Sequence, residues 1–501
     1  MAIARYSASA DTTITNAFEA DLSTRGTGSN MGYADSLEIF SIYGQTSGSS
    51  LGQSQELSRA LIKFPISQIS ADRTAGTLPA SGSVAFYLRM HNAQHPFTLP
   101  QDFNLVVTPV SMSWNEGTGL DMDEYQDLGT ANWISASSGV PWDSIGGDYL
   151  SAANGAVDYN VYFGQGWEDI DLDVTHTVEQ WIAGTHSNHG FGVHLTASQE
   201  AYFSSSTGAD TSVLIDNTGG AKDSYYTKKF FARSSQFFFK RPHIEARWDS
   251  RVQDDRENFY YSSSLAPADD NLNTLYLYNY IRGRLVDIPA VGTNNILVSI
   301  YSGSTAPTGS KLTLYDGNTN ITGGHVSTGI YSASVALTAA ATPLLVVFDM
   351  WHSSSVQYFT GSIYPEKMPT YSAAPTFTKV TTCSNLKKSY LPSEKARFRF
   401  FIRDRNWNPT IYVKATANNP TDIITSASYS ITRVTDNYPA IPFGTGSHLS
   451  TYTSYDKDGN YFDLDMSLLE SGYMYQISLA YYNDSIADWQ VQPQTWKFRV
   501  D

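Results

Sequence analysis

The chain has almost no cysteine, little charge and no long apolar run. Its single cysteine, Cys383, excludes an intramolecular disulfide, and no Cys/His group has zinc-finger spacing, so burial alone has to stabilise the fold. No stretch is apolar enough for long enough to cross a bilayer. The opening MAIARYSASADTTI lacks a basic region followed by an apolar run, so a soluble, unprocessed chain is expected. Charged residues make up only 16%, and acidic ones outnumber basic ones 48 to 32. The resulting formal charge of -16 opposes binding to nucleic acid or to anionic membranes, which leaves protein or glycan as expected partners. Long helical runs of Ala, Glu, Lys and Leu are missing as well.

What is present is aromatic and β-branched. Aromatics reach 13%, with 33 tyrosines, an all-β profile. Runs such as SVAFYLRM, NILVSIYSG, KLTLYDG, SASVALT and YQISLAYY alternate roughly in period two and end at Gly, Pro, Asn or Ser, as sandwich strands do. One segment departs from this. In DVTHTVEQWIAGTHSN, Val174, Val178, Trp181 and Ile182 stand at helical intervals, with Asp173 or Thr175 as N-cap and Gly184 as a stop, so a short helix near 175–183 is expected. The polar run after RPHIEARWD and the Pro-rich PEKMPTYSAAPTF divide the chain into expected domains at 1–250, 251–370 and 371–501. The last two carry enough short strands for immunoglobulin-like β-sandwiches.

Over the first 250 residues the order of several blocks is informative. ADTTI at 10–14, ELSRALIKFPISQI at 56–69, SVAFYLRM at 83–90, SWNEGTG, ANWISASSGVPWDSIGGD at 131–148, DIDLDVTHTVEQWIAGTHSNHGFGVHL at 169–195 and RPHIEARW at 241–248 resemble the DNRLRE family. That resemblance implies a jelly roll of the carbohydrate-binding-module type over about half the chain. The fold class expected is therefore all-β: an N-terminal jelly-roll β-sandwich with a short helix, then two immunoglobulin-like β-sandwich domains. Such an arrangement is similar to structural proteins of tailed-phage virions.

Candidate sites follow from residue type. SMSWNEGTG places Trp114 and Glu116 between two strands. Glycoside hydrolysis at Glu116 would need a second carboxylate about 5–10 Å away, from Asp121, Asp123, Glu124 or Asp127. The family resemblance instead implies a recurring structural loop, with Trp114 packed and Gly117 in a tight turn. Trp133 and Trp142, in the next loop, are the candidates for stacking on a sugar ring, or else they cover the end of the sandwich. Asp169, Asp171 and Asp173 share one face of a strand and would help hold calcium, but no EF-hand loop is present and no metal ligand is assigned. His176, His186, His189 and His194 fit no zinc pattern. GSSLG at 48–52 matches a nucleophile elbow only formally, and Cys383 reads as a small buried hydrophobe. The basic, aromatic string TKKFFARSSQFFFKRPH reads as a strand with one cationic face.

The function expected is that of a non-enzymatic virion structural protein, a head, neck or tail accessory without a cofactor, contacting other virion proteins in multiple copies per particle. The alternative is a glycan-binding adhesin or tail-fibre-type host-recognition protein using Trp133 or Trp142. A polysaccharide-processing enzyme comes third.

Overall fold

A computed structural model describes the chain except residues 1, 43–54, 96–99, 123–126, 128, 206–211, 223–224, 265, 340–343, 368–378, 408–420, 447–449 and 485. The fold is all-β. Apart from the first two residues, the chain forms two compact units, Ile3–Trp248 and Asp249–Asp501, so the stretches expected as second and third domains lie in one unit.

In the first unit two sheets enclose the main core. One runs in the order Ala2–Ser7, His243–Trp248, Ala85–Met90, Ile170–Asp173. The other runs Tyr225–Phe231, Ser36–Ile42, Glu56–Lys63, Phe191–Leu195, Phe103–Pro109, Tyr159–Phe163, with Ala10–Thr15 also paired to Glu56–Lys63. Strand Glu56–Lys63 explains the arrangement. Its side chains alternate between faces, so Ala60 and Ile62 enter the main core while Leu57 and Leu61 enter a second cluster with Trp114, Trp133 and Trp142. With both faces covered, the strand is buried almost throughout.

Helix α2, Thr175–Ala183, lies where its apolar spacing predicts, with Val174, Val178 and Trp181 buried. Gly184 closes it at φ 73°, a left-handed conformation that glycine adopts without steric cost. The N-cap position is Val174, neither Asp173 nor Thr175, although the Asp173 carboxylate just before it accepts from Thr175 N at 2.9 Å. The Thr175 hydroxyl instead accepts from Phe86 N. A second helix, α1 at Ile66–Thr74, begins at Pro65 and buries Ile66 and Ile69. Arg73 ties the two helices together through a bidentate pair with Glu179, both distances 2.7 Å.

In the second unit an antiparallel sheet runs Asn273–Tyr278, Ile330–Val335, Ile321–Ser327, Ile296–Ser302, Val347–Ser353, Val356–Ile363. KLTLYDG is not a strand in it. Only Lys311 bridges Tyr301, and a turn bonded from Leu314 N to Asn318 O follows. Two further sheets, one containing Lys395–Asp404 and Gly459–Asp465, the other Ala427–Arg433, Met474–Asn483 and Asp488–Val500, face each other across an aromatic core. Tyr429 stacks on Phe462 at 3.8 Å, and Phe398 meets Phe498 at 5.3 Å.

Candidate functional site

The loop around Glu116 is built as scaffold. Buried Asn30 donates through Nδ2 to the carbonyls of Glu116 (2.7 Å) and Ala131 (2.9 Å), and its Oδ1 accepts from Gly32 N and Gly119 N at 3.0 Å. A Cβ on Gly119 would stand 1.7 Å from the Asn30 carbonyl oxygen, so glycine is required for that approach. Glu116 Oε1 accepts from Asp11 N (2.9 Å) and from Arg233 Nε and Nη2 (3.0 and 2.8 Å). Trp114 is buried and donates to His189 O at 2.8 Å. Of the proposed partner carboxylates, Asp127 accepts from Thr118 N at 3.0 Å, while Asp123 and Glu124 lie outside the described residues.

The carboxyl that does approach Glu116 is Asp11. It is fully buried; Oδ2 accepts from Arg233 N at 2.6 Å and Oδ1 has no hydrogen-bond partner. Burial pushes it up to about 7, the Glu116 charge adding and the Arg233 amide and guanidinium opposing. A carboxyl raised in the folded state holds a proton that the unfolded chain has already released between about pH 4 and pH 7. Its contribution is therefore fully present below about pH 4 and is lost as pH rises through 7, at about 1.4 kcal/mol per pH unit. Asp11→Asn should match the parent in urea unfolding at pH 4 and exceed it at pH 8. Equal stability of the two proteins at pH 8 would refute this account.

The sugar-platform expectation for Trp133 and Trp142 needs correction. Trp133 is 0% exposed and Trp142 5%. Their indole N–H groups are spent on Val213 O (3.0 Å) and Asn132 O (2.8 Å). Trp133 also packs beside Arg59, which forms a buried bidentate pair with Glu200 at 3.0 and 2.8 Å. Both indoles plug the second hydrophobic cluster, where Trp114, Ala131 and Ala136 of the described loop residues pack with Leu57 and Leu61 of the sheet.

Asp169, Asp171 and Asp173 go to separate partners: His91 and Asn92 N, Arg89 and Arg247, and Thr175 N. Among the described residues no three His, Cys, Asp or Glu side chains gather as a metal-binding group. His186 bonds Gln180, and His194 bonds Leu195 O and packs on Tyr149. GSSLG lies outside the described residues. Cys383 is half-buried, and burial pushes its thiol up. The basic string has no single cationic face. Lys228 is buried, Lys229 pairs with Glu38, Arg233 with Glu116, and Lys240 sits over the Phe231 ring at 4.8 Å.

A well-defined recess among the described residues is a cleft of about 510 Å³ in the second unit. Its walls carry four acids, Asp254, Glu257, Asp456 and Asp458, and four bases, Arg256, Arg397, Arg399 and Lys457, around Tyr276, Tyr278, Tyr280 and Phe359. Three guanidinium groups are fixed by bidentate pairs. Arg256 meets buried Asp349 at 2.7 and 2.6 Å, Arg399 meets Asp456 at 2.6 and 2.8 Å, and Arg397 meets Asp463 at 2.8 and 3.0 Å. Asp254 starts a short 3-10 turn, accepting from Arg256 N, and burial pushes its carboxyl up to about 7. The Tyr278 hydroxyl is out of solvent beside the Tyr461 phenol, yet closes no hydrogen bond of ordinary geometry; burial raises it far above the usual phenol range. The residues span 254 to 458, so no local motif announces the cleft. The nearest sequence signal is ARFRF, whose alternation sets Arg397 and Arg399 on one face of their strand.

No family model matches the chain, and no curated protein matches it. Among solved structures it is similar to trypsin-activated alpha-2-macroglobulin from Escherichia coli, at 8% identity and a TM-score of 0.16, over 92% of this chain and 30% of that one. The chain thus spans under a third of that structure's length.

Proposed function

We propose that this protein is a non-enzymatic structural component of a tailed-phage virion, a head, neck or tail accessory that attaches to other virion proteins through the surfaces of its sandwiches. The ordered DNRLRE-like blocks suggest the setting. The observation that carries the attachment role is the exposure of Trp167, 64% exposed on the loop after strand Tyr159–Phe163. Beneath that loop the buried ammonium of Lys228 donates to Gly166 O (2.9 Å), Glu168 O (2.8 Å) and Asn92 Oδ1 (2.7 Å). Burial pushes this lysine down to about 8, and the three acceptors keep it in place. Exposed Tyr162 stands on the preceding strand, its hydroxyl donating to Asp102 at 2.6 Å. A solvated indole on a loop whose backbone is held on both sides has the character of an interface anchor, because ordering that backbone on binding costs little. The candidates for chemistry, by contrast, are absorbed into the scaffold: Glu116 by Asp11 and Arg233, Trp133 and Trp142 by the second core.

Trp167→Ala should change folding stability by no more than about 0.5 kcal/mol, as at other exposed sites. Its recruitment to particles should fall about tenfold or more, the loss expected of a hot-spot aromatic. Proteomics and immunogold labelling of purified particles measure this. Absence of the unaltered protein from intact virions would overturn the assembly reading, and normal recruitment of the variant would remove Trp167 from it.

A further inference from the structure

We propose that the cleft in the Asp249–Asp501 unit binds a neutral, hydroxyl-rich ligand, a saccharide. This goes beyond the assembly reading and does not depend on it. The cleft's volume, about 510 Å³, lies in the range of small-molecule sites. Charge narrows the ligand class. Acids and bases are equal in number along the walls, and behind the arginines stand two further carboxylates, Asp349 and Asp463. An anion would meet carboxylates at every arginine. A cation would meet a guanidinium group at Asp349, Asp456 and Asp463, and an apolar ligand would strip water from both without replacing its hydrogen bonds.

A sugar answers each part of that wall. Its hydroxyls donate to carboxylates, which only accept, and accept from guanidinium groups, which only donate. Its flat C–H faces suit aromatic rings, and Tyr280, 59% exposed, stands at the cleft with Phe359. The buried Tyr278 hydroxyl, beside the Tyr461 phenol, closes no hydrogen bond of ordinary geometry, and the buried Asp254 carboxyl accepts from a single backbone amide, so both have capacity left for a ligand hydroxyl. The bidentate pairs hold Arg256, Arg397 and Arg399 in place before any ligand arrives, which lowers the ordering cost of binding.

The test is titration of the full chain with neutral oligosaccharides of glucose, galactose, mannose, rhamnose and N-acetylglucosamine, read by calorimetry and saturation-transfer NMR. A sulfated and a deacetylated amino-sugar oligomer serve as anionic and cationic comparisons. At least one neutral oligosaccharide should bind once per chain, with affinity in the micromolar to millimolar range. Tyr280→Ala and Tyr278→Phe should each weaken it about tenfold or more, with thermal unfolding of the Tyr280→Ala protein unchanged. Trp167→Ala should bind as the parent does, which separates this cleft from the assembly surface. Failure of every neutral probe at millimolar concentration would overturn the proposal. So would binding confined to the charged oligomers, or binding unaffected by both tyrosine substitutions.

Discussion

Trp133→Ala should destabilise the Ile3–Trp248 unit by about 3–5 kcal/mol, the cost of removing a large aromatic from a filled core. The indole is completely out of solvent and packs against a close-fitting backbone. A Cβ on Gly146 would come within 2.9 Å of its ring, and Gly146 N donates to the Trp133 carbonyl at 2.8 Å. Truncation would open a void in the cluster of Leu57, Leu61, Trp114 and Trp142 and loosen the Arg59 guanidinium that lies 5.6 Å from the ring. Trp133→Phe keeps most of the volume but strands the Val213 carbonyl that the indole N–H satisfies, so it should cost about 1–3 kcal/mol. Urea unfolding of the full chain, followed by far-ultraviolet circular dichroism, measures both. A loss below about 1 kcal/mol for the alanine variant would mean that the indole does not plug the core. A surface platform would behave in that way, whereas a core plug carries its effect in stability.

This contrast shows why the two tryptophans left both readings open at the sequence level. A Trp in a Gly- and Ser-rich loop reads the same whether it stacks on a sugar or closes a core. What decides is the pairing of Ala10–Thr15 and Glu56–Lys63 beneath loops far along the chain, together with the burial of Leu57 and Leu61 against those loops. Asn30 was illegible for the same reason: its partners Glu116, Gly119 and Ala131 lie 86 to 101 residues away, and GSNMG signals only a turn. Local periodicity was legible. Alternation located strands Ala85–Met90, Ile296–Ser302 and Met474–Asn483, and the spacing of Val174, Val178 and Trp181 located α2. It failed at KLTLYDG, where alternation is present but the segment bridges its neighbour only at Lys311. Helix α1 was missed because its apolar positions, Ile66 and Ile69, are few, and only Pro65 marks its start. The cleft lay beyond local reading, since Asp254, Tyr278, Arg397 and Asp456 meet only after the strands have paired.

Arg256→Met should cost the Asp249–Asp501 unit about 3–5 kcal/mol, because it leaves a carboxylate buried without its countercharge. Asp349 is fully buried and accepts four hydrogen bonds: two from Arg256, one from Trp351 Nε1 at 2.6 Å and one from Gly361 N at 3.0 Å. The arginine is also held from the other side, over the Phe359 ring at 5.4 Å. Gly361 permits this packing, since a Cβ there would stand 2.5 Å from Arg256 Nη1. Arg256→Lys should rescue little. An ammonium is a point charge and cannot offer the two parallel donors that both Asp349 oxygens use. Asp349→Asn in the Arg256→Met background should recover a substantial part of the loss, because the amide removes the uncompensated charge while Trp351 and Gly361 keep an acceptor. With the parent and Asp349→Asn alone, Arg256→Met and the double variant form a double-mutant cycle, and a coupling well above the roughly 0.3–0.5 kcal/mol of independent sites is expected. Additive losses would show that the two side chains act separately. A folded, near-native Arg256→Met protein would also remove one fixed guanidinium from the cleft, so its stability should be measured before its ligand binding is judged.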